Sequence, residues 1–229
     1  MTDPIRLDKR LTQLLGCSRG DAQRYIEGGW VTVNGQVVEQ PQAMVTDEVV
    51  VLRENAEAGR TASVSMLLHK PAGLRADQVS ALVTPDSRSE LDATGVHLLQ
   101  RHFHGLQLGM ALSAEDSGMV VVSQDGRMLS FLKDRSPTLE QEYVVEVSGE
   151  LAPYGRARLA HGLSSRGRPL PPCKVSWQSE TRLRFAIKPV QPGQLRDMCA
   201  QVGLQVVSIR RLRIGRVAMG KLAPGQWGY

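Results

Sequence analysis

Apolar residues recur at helical spacing at the start of the chain. Ile5, Leu7, Leu11, Leu14 and Leu15 predict a first helix, entered through Asp3-Pro4 and stopped by Gly16. Ser18, with Asp21 three residues on, resembles a capping box for a second helix with an apolar face of Ala22, Tyr25 and Ile26. Gly28-Gly29 ends it. The period then changes from helical to alternating. Two β-prone runs within Trp30–Val38 flank Asn34-Gly35, a strong hairpin signal, and residues 48–52 predict a further strand. The stretch 53–63 is polar and aperiodic and is expected to be a linker.

Beyond it, residues 64–69, 119–123, 143–148, 183–187 and 206–217 predict strands, and 127–133 and 194–201 predict helices. Turns are expected at 70–73 and 125–126, and residues 74–104 carry no legible period. The expected class is α+β. A small helical and hairpin domain over 1–54 is followed by a linker over 55–63. A larger, mainly antiparallel-sheet domain fills 64–229.

Composition narrows the function. Hydrophobic residues make up 41% of 229, enough for a sizeable core and against wholesale disorder. The three cysteines, Cys17, Cys173 and Cys199, include no close pair, which argues against a disulfide framework or a metal site. No apolar run nears the ~20 residues that cross a bilayer, and the first ten residues have no apolar signal core. A soluble, cytoplasmic protein with no membrane partner is expected.

The net charge of +5 suits a polyanion. Arg6, Lys9 and Arg10 fall on the first helix and Arg19 and Arg24 on the second, where spacings of three and four bring cations onto a shared face. An ordinary solvated surface is the competing explanation. Two acid-free stretches follow. Residues 151–179 hold Arg156, Arg158, Arg166, Arg168 and Lys174, and residues 205–217 hold Arg210, Arg211, Arg213 and Arg216. Strict alternation would put Arg211 and Arg213 on one strand face, lining a phosphate groove.

Within residues 5–52 the run Arg6-Leu7-Asp8-Lys9, then Ser18-Arg19, Ala22, Ile26, Gly29, Val31 and Val33-Asn34-Gly35, resembles the RNA-binding domain named after ribosomal protein S-four. That resemblance implies binding of folded RNA by shape and backbone contacts, with Lys9, Arg10, Arg19 and Arg24 as contacts. Further along, five motifs in order resemble the ribosomal pseudouridine synthases that carry this domain, the RsuA, RluB and RluF group. They are Leu67-Leu68-His69-Lys70-Pro71-Ala72-Gly73, Ser117–Gly126, Glu142–Val147, Gln194–Cys199, and Leu212–Gly215 with Leu222–Trp227. The resemblance covers nearly the whole chain. It implies structured RNA, most of all ribosomal RNA, as partner, a monomer, no cofactor, and Lys70, Arg196, Arg211 and Arg213 as further RNA contacts.

Family enzymes flip a uridine into a pocket. An aspartate attacks the nucleotide, the base detaches, turns and reattaches through carbon. An aromatic residue holds the base and a basic residue orients the aspartate. Counting back from Gly118 along the family's GRLDxxTxG, the arginine position holds Ala111 and the nucleophile position holds Ser113. His69, Gln141 and Asp197 are further departures, whereas Tyr143 and Arg196 are retained. Three readings follow: an RNA-binding protein with a degenerate site at Ser113 and Tyr143; an active synthase that uses Asp116 or Glu115; or an RNA chaperone or tRNA binder that uses only its N-terminal module.

Overall fold

The computed structural model describes residues 3–59, 62–165, 167–188 and 190–229. Residues 60 and 61 of the expected linker, and Arg166 of the first acid-free stretch, lie outside the described residues. The chain forms two compact units, Met1–Ser63 with His97–His104, and Val64–Val96 with Gly105–Tyr229.

In the smaller unit, β1 (Ile5–Arg6) leads into α1 (Leu7–Leu15), then α2 (Arg19–Glu27), β2 (Val31–Val33), β3 (Gln36–Val37), β4 (Met44–Val45) and β5 (Val50–Leu52). The first helix starts later than Asp3-Pro4 predicts. Ile5 and Arg6 pair with Val45 and Met44, and the Leu7 and Asp8 amides donate to Ala43 and Pro41 carbonyls outside the helix. Ser18 does cap α2: its hydroxyl accepts from the Asp21 amide (3.1 Å) and donates to the Asp21 carboxylate (2.6 Å). Asn34 and Gly35 both take positive φ, +49° and +82°, as the tight hairpin between β2 and β3 requires. Leu7, Leu11, Ala22, Ile26, Val31 and Val45 form the core.

Beneath the helices lies Asp8, wholly buried, which accepts from Arg6, Arg19 and Gln23. Burial pushes its carboxyl up, but those donors outweigh it and hold it at about 2. The segment 97–104, expected in the larger domain, belongs to this unit. The Gln100 amide donates to Glu39 (2.7 Å), and Leu99 packs so closely over Gly29 that a Cβ there would lie 2.6 Å from Leu99 Cδ2.

The larger unit comprises β6 (Ser65–Lys70), β7 (Gln107–Gly109), β8 (Ser117–Ser123), α3 (Gly126–Arg135), β9 (Gln141–Gly149), α4 (Gly155–Ala160), β10 (Ser164–Ser165), β11 (Arg168–Pro169), β12 (Lys174–Ser179), β13 (Arg182–Ile187), α5 (Gln194–Ala200), β14 (Leu204–Ile214), β15 (Val217–Ala218) and β16 (Trp227–Gly228). Its main sheet runs β12-β13-β9-β14-β8-β6-β16, with β15 on β14 and β7 on β8. Every pairing in it is antiparallel except β14 with β8. Mixed helix and largely antiparallel sheet is the α+β architecture that the alternating pattern implies.

The single strand expected over 206–217 is two, because Gly215 at φ +57° turns the chain back. Tyr143, Val145, Leu183, Phe185, Leu195, Met198 and Ile209 pack one face of the sheet into the core.

The parallel step between β8 and β14 requires glycine. Gly118 pairs with Arg211 at φ +111°, and a Cβ there would lie 2.3 Å from the Arg211 carbonyl oxygen and 2.4 Å from its nitrogen. Neither is a side chain that can swing away. Gly118→Ala is therefore expected to destabilise the protein by about 3 kcal/mol or more in urea unfolding. Gly126→Ala, at the open start of α3 with nothing within 4 Å, is expected to be neutral or to stabilise by up to about 1 kcal/mol. Equal effects of the two would contradict the β8–β14 register.

Candidate active site

The loop between β7 and β8, the start of β9, the residues before α5 and the middle of β14 enclose a cavity of about 290 Å³. Ser113, Asp116, Gln141, Tyr143 and Arg211 all line it. They come from three separate stretches of the sequence, and the sheet order β9-β14-β8 makes them neighbours.

Lys70 fixes the loop. It ends β6 fully buried, and its ammonium donates to the carbonyls of Pro71 (3.0 Å), Ser113 (3.1 Å), Ala114 (3.0 Å) and Asp116 (2.8 Å). Three protons shared among four carbonyls leave it nothing to offer a phosphate. The expectation of Lys70 as an RNA contact is therefore corrected: its charge faces inward and ties residues 113–116 to the sheet. Burial lowers its pKa, with Asp116 pulling the other way.

Arg211 undergoes the same correction. Only 2% exposed, it donates to the Met119 carbonyl (2.7 Å), the Gln141 side chain (3.0 Å) and the Met110 carbonyl. Met110, held there, takes a left-handed φ of +56° that is unfavourable for a side chain of its kind. Arg213 does not share its face. The register shift on β14 puts Arg211 opposite Tyr143 but Arg213 opposite Glu142. Arg213 then pairs with Glu140 (2.6 Å) and Glu142 (3.1 Å). A bulge, invisible to strict alternation, thus separates the two arginines expected to line one groove.

Tyr143 is 3% exposed, and its hydroxyl donates to Gln141 (2.7 Å). Burial raises its pKa while Arg211 opposes the shift. The aromatic ring, the Gln141 amide and the Arg211 guanidinium form one connected wall.

Asp116 carries a buried carboxylate paired with Arg196 of α5, which also reaches Glu115 at 3.5 Å. Burial raises the Asp116 pKa from its ordinary value despite the attraction of Arg196. Ser113 is half-buried, and among the described residues its hydroxyl has no hydrogen-bond partner. Ala111 is exposed. His102 and His104 lie in the other unit, and His69 is buried with its Nδ1 against the Leu222 carbonyl (2.7 Å). The pairing of Asp116 with Arg196 spans eighty positions and leaves no local signal in the sequence.

In the smaller unit, Lys9 is exposed and Arg10 half-buried, its Nε without a hydrogen-bond partner among the described residues. Arg19 pairs with Asp8 but stays 62% exposed, and Arg24 pairs with Asp21 and donates to the Ala58 carbonyl.

Comparison with known proteins bears on this arrangement. Residues 5–51 match the S4 domain family. Over 227 residues the chain is 26% identical to the ribosomal small subunit pseudouridine synthase A of Salmonella typhimurium, covering 97% of this chain and 95% of that one. It is 25% identical over 225 residues to the dual-specificity RNA pseudouridine synthase RluF of Escherichia coli K12, covering 97% and 74%. The chain is a homologue of the S4-domain pseudouridine synthases. A crystal structure of a pseudouridylate synthase superposes with a TM-score of 0.57 at 19% identity, over 97% of this chain and 94% of that one. The fold is thus that of a pseudouridine synthase behind an S4 domain.

The buried ammonium generates a stability prediction. Lys70→Met keeps the stem and strips four carbonyls of their donor, so it is expected to cost about 3 kcal/mol in urea unfolding. A loss below about 0.5 kcal/mol would mean that the loop is held by something else.

Proposed function

We propose that this protein binds structured ribosomal RNA as a monomer, through its S4 domain, and receives an unpaired nucleotide in the Tyr143 cavity without isomerising it. The relatives named as a ribosomal small subunit pseudouridine synthase and a dual-specificity RNA pseudouridine synthase support the RNA class. The observation that carries the non-catalytic reading is Ser113. The family's chemistry needs a carboxylate at that place, and here stands a hydroxyl that is hydrogen-bonded to no base among the described residues. The family's orienting arginine is replaced by Ala111. Groups that act as a unit fail together, so the loss of one already removes most of the rate. Tyr143 and the polar wall of Gln141 and Arg211 remain suited to holding a flipped base.

A second reading is favoured by one specific feature. Asp116 and Arg196 place a carboxylate with a cationic partner in the same cavity as Tyr143, so the nucleophile's role would move by three positions. Against this, burial raises the Asp116 pKa and leaves less carboxylate at a given pH. A displacement of even about 1 Å is also costly in a positioned site.

Chemical mapping of pseudouridine in unmodified ribosomal RNA incubated with the purified protein separates the two readings. No pseudouridine is expected from the unaltered chain. Turnover that Asp116→Asn abolishes would move the nucleophile to Asp116 and overturn the non-catalytic reading. The double variant Ala111→Arg with Ser113→Asp is expected to gain activity if the pocket still fits uridine. Binding is tested separately. Replacing Lys9, Arg10, Arg19 and Arg24 with alanine is expected to weaken association and flatten its salt dependence by up to about 3 in log–log slope. An unchanged slope would reduce the patch to solvated surface.

A further inference from the structure

The acid-free stretch 151–179 plays no part in the Tyr143 cavity. Its α4 lies beside β12, and the Cys173 amide, just before β12, donates to the Ala160 carbonyl (2.9 Å) at the end of α4. Between them runs a groove of about 550 Å³ whose walls include Tyr154, Arg156, Ala157, Ala160 and Val175. Trp177 lies two residues beyond Val175 on the same face of β12, 38% exposed.

Two properties set this surface apart. Tyr154 is 86% exposed, and its backbone is held at φ +59°. Its ring therefore contributes little to the core, although it is the kind of side chain that usually gains by burial. Arg156 and Arg158 are exposed and form no ion pair among the described residues. On the adjoining sheet, Arg182, Arg184 and Arg213 are held by carboxylates: Arg182 by Glu146, Arg184 by Glu142, and Arg213 by Glu140 and Glu142. Uncompensated cations beside outward-facing aromatic rings are what an unpaired nucleotide requires. The ring stacks on a base, and the guanidinium groups neutralise the phosphates on either side.

We propose that Tyr154, Arg156, Arg158 and Trp177 form a second RNA contact that stacks an unpaired base of an RNA loop. The inference rests on the RNA-binding reading above but uses none of its residues. The contact grips RNA away from the Tyr143 cavity.

The test uses the full chain and two probes, in-vitro-transcribed small-subunit ribosomal RNA and a single-stranded oligouridylate. Tyr154→Ala is expected to weaken binding of both roughly five- to hundredfold with an unchanged salt slope. Tyr154→Phe is expected to retain near-normal affinity, because the stacking face survives. Arg156→Ala with Arg158→Ala is expected to lower the slope by roughly 1 to 2.

If the S4-patch variant weakens binding while Tyr154→Ala and the double arginine variant do not, this inference is overturned and the S4 reading stands. Equal losses from Tyr154→Phe and Tyr154→Ala would overturn stacking. A wild-type chain that binds neither probe would remove both readings, and a surface that serves a protein partner would then be the explanation for the exposed rings.

Discussion

The larger unit is organised around one buried charge. The Lys70 ammonium at the end of β6 is drawn under four backbone carbonyls, three of them from the loop that carries Ser113 and Asp116. A loop of this kind would otherwise have to satisfy those carbonyls with water. Bound to β6, the last strand but one of the sheet, it becomes part of the cavity wall. Arg211 does the same from the other side, through Met119, Met110 and Gln141. Two cations that seem from sequence to be surface contacts thus act as internal fasteners, and the cavity exists because they are buried.

The electrostatics of the two units differ in purpose. In the S4 domain, Asp8 is buried to anchor Arg6 and Arg19 at the base of the helix pair, and those side chains still reach solvent. Each gives part of its guanidinium to that carboxylate and keeps the rest at the surface. On the large sheet, the carboxylates Glu140, Glu142 and Glu146 quench the arginines beside them. Arg156 and Arg158 on α4 have no such partners among the described residues. Basic composition alone does not separate these cases, because each depends on which acids the fold brings within reach.

Chemistry in the cavity depends on the same geometry. The family's reaction needs a carboxylate, a cation to orient it and an aromatic ring. The cavity holds a ring at Tyr143 and a carboxylate and cation at Asp116 and Arg196, and on the reading proposed above Ser113 stands at the nucleophile's place. Binding a flipped base requires only the ring and the polar wall, whereas cleaving the glycosidic bond requires the carboxylate at the right distance. A site can lose the second and retain the first.

By itself the sequence determined the local elements. Ser18 as a cap, Asn34-Gly35 as a hairpin and the alternating strands were legible because neighbours along the chain produce them. The motif order was likewise enough to identify the relatives. It did not reveal that Ile5 and Arg6 are strand, that residues 97–104 return to the S4 unit, or that Gly215 splits the last long strand, since each rests on pairing with distant residues. The fates of the cations were hidden for the same reason. Arg211 and Arg213 stand two apart, yet a bulge sends one into the cavity and the other to Glu140 and Glu142. Lys70 and Arg196 are buried or paired only because the sheet order places residues 113–116 against them. Local propensity fixes most of the strands. Burial and long-range pairing, set only when those strands assemble, decide which charges face solvent and which line a site.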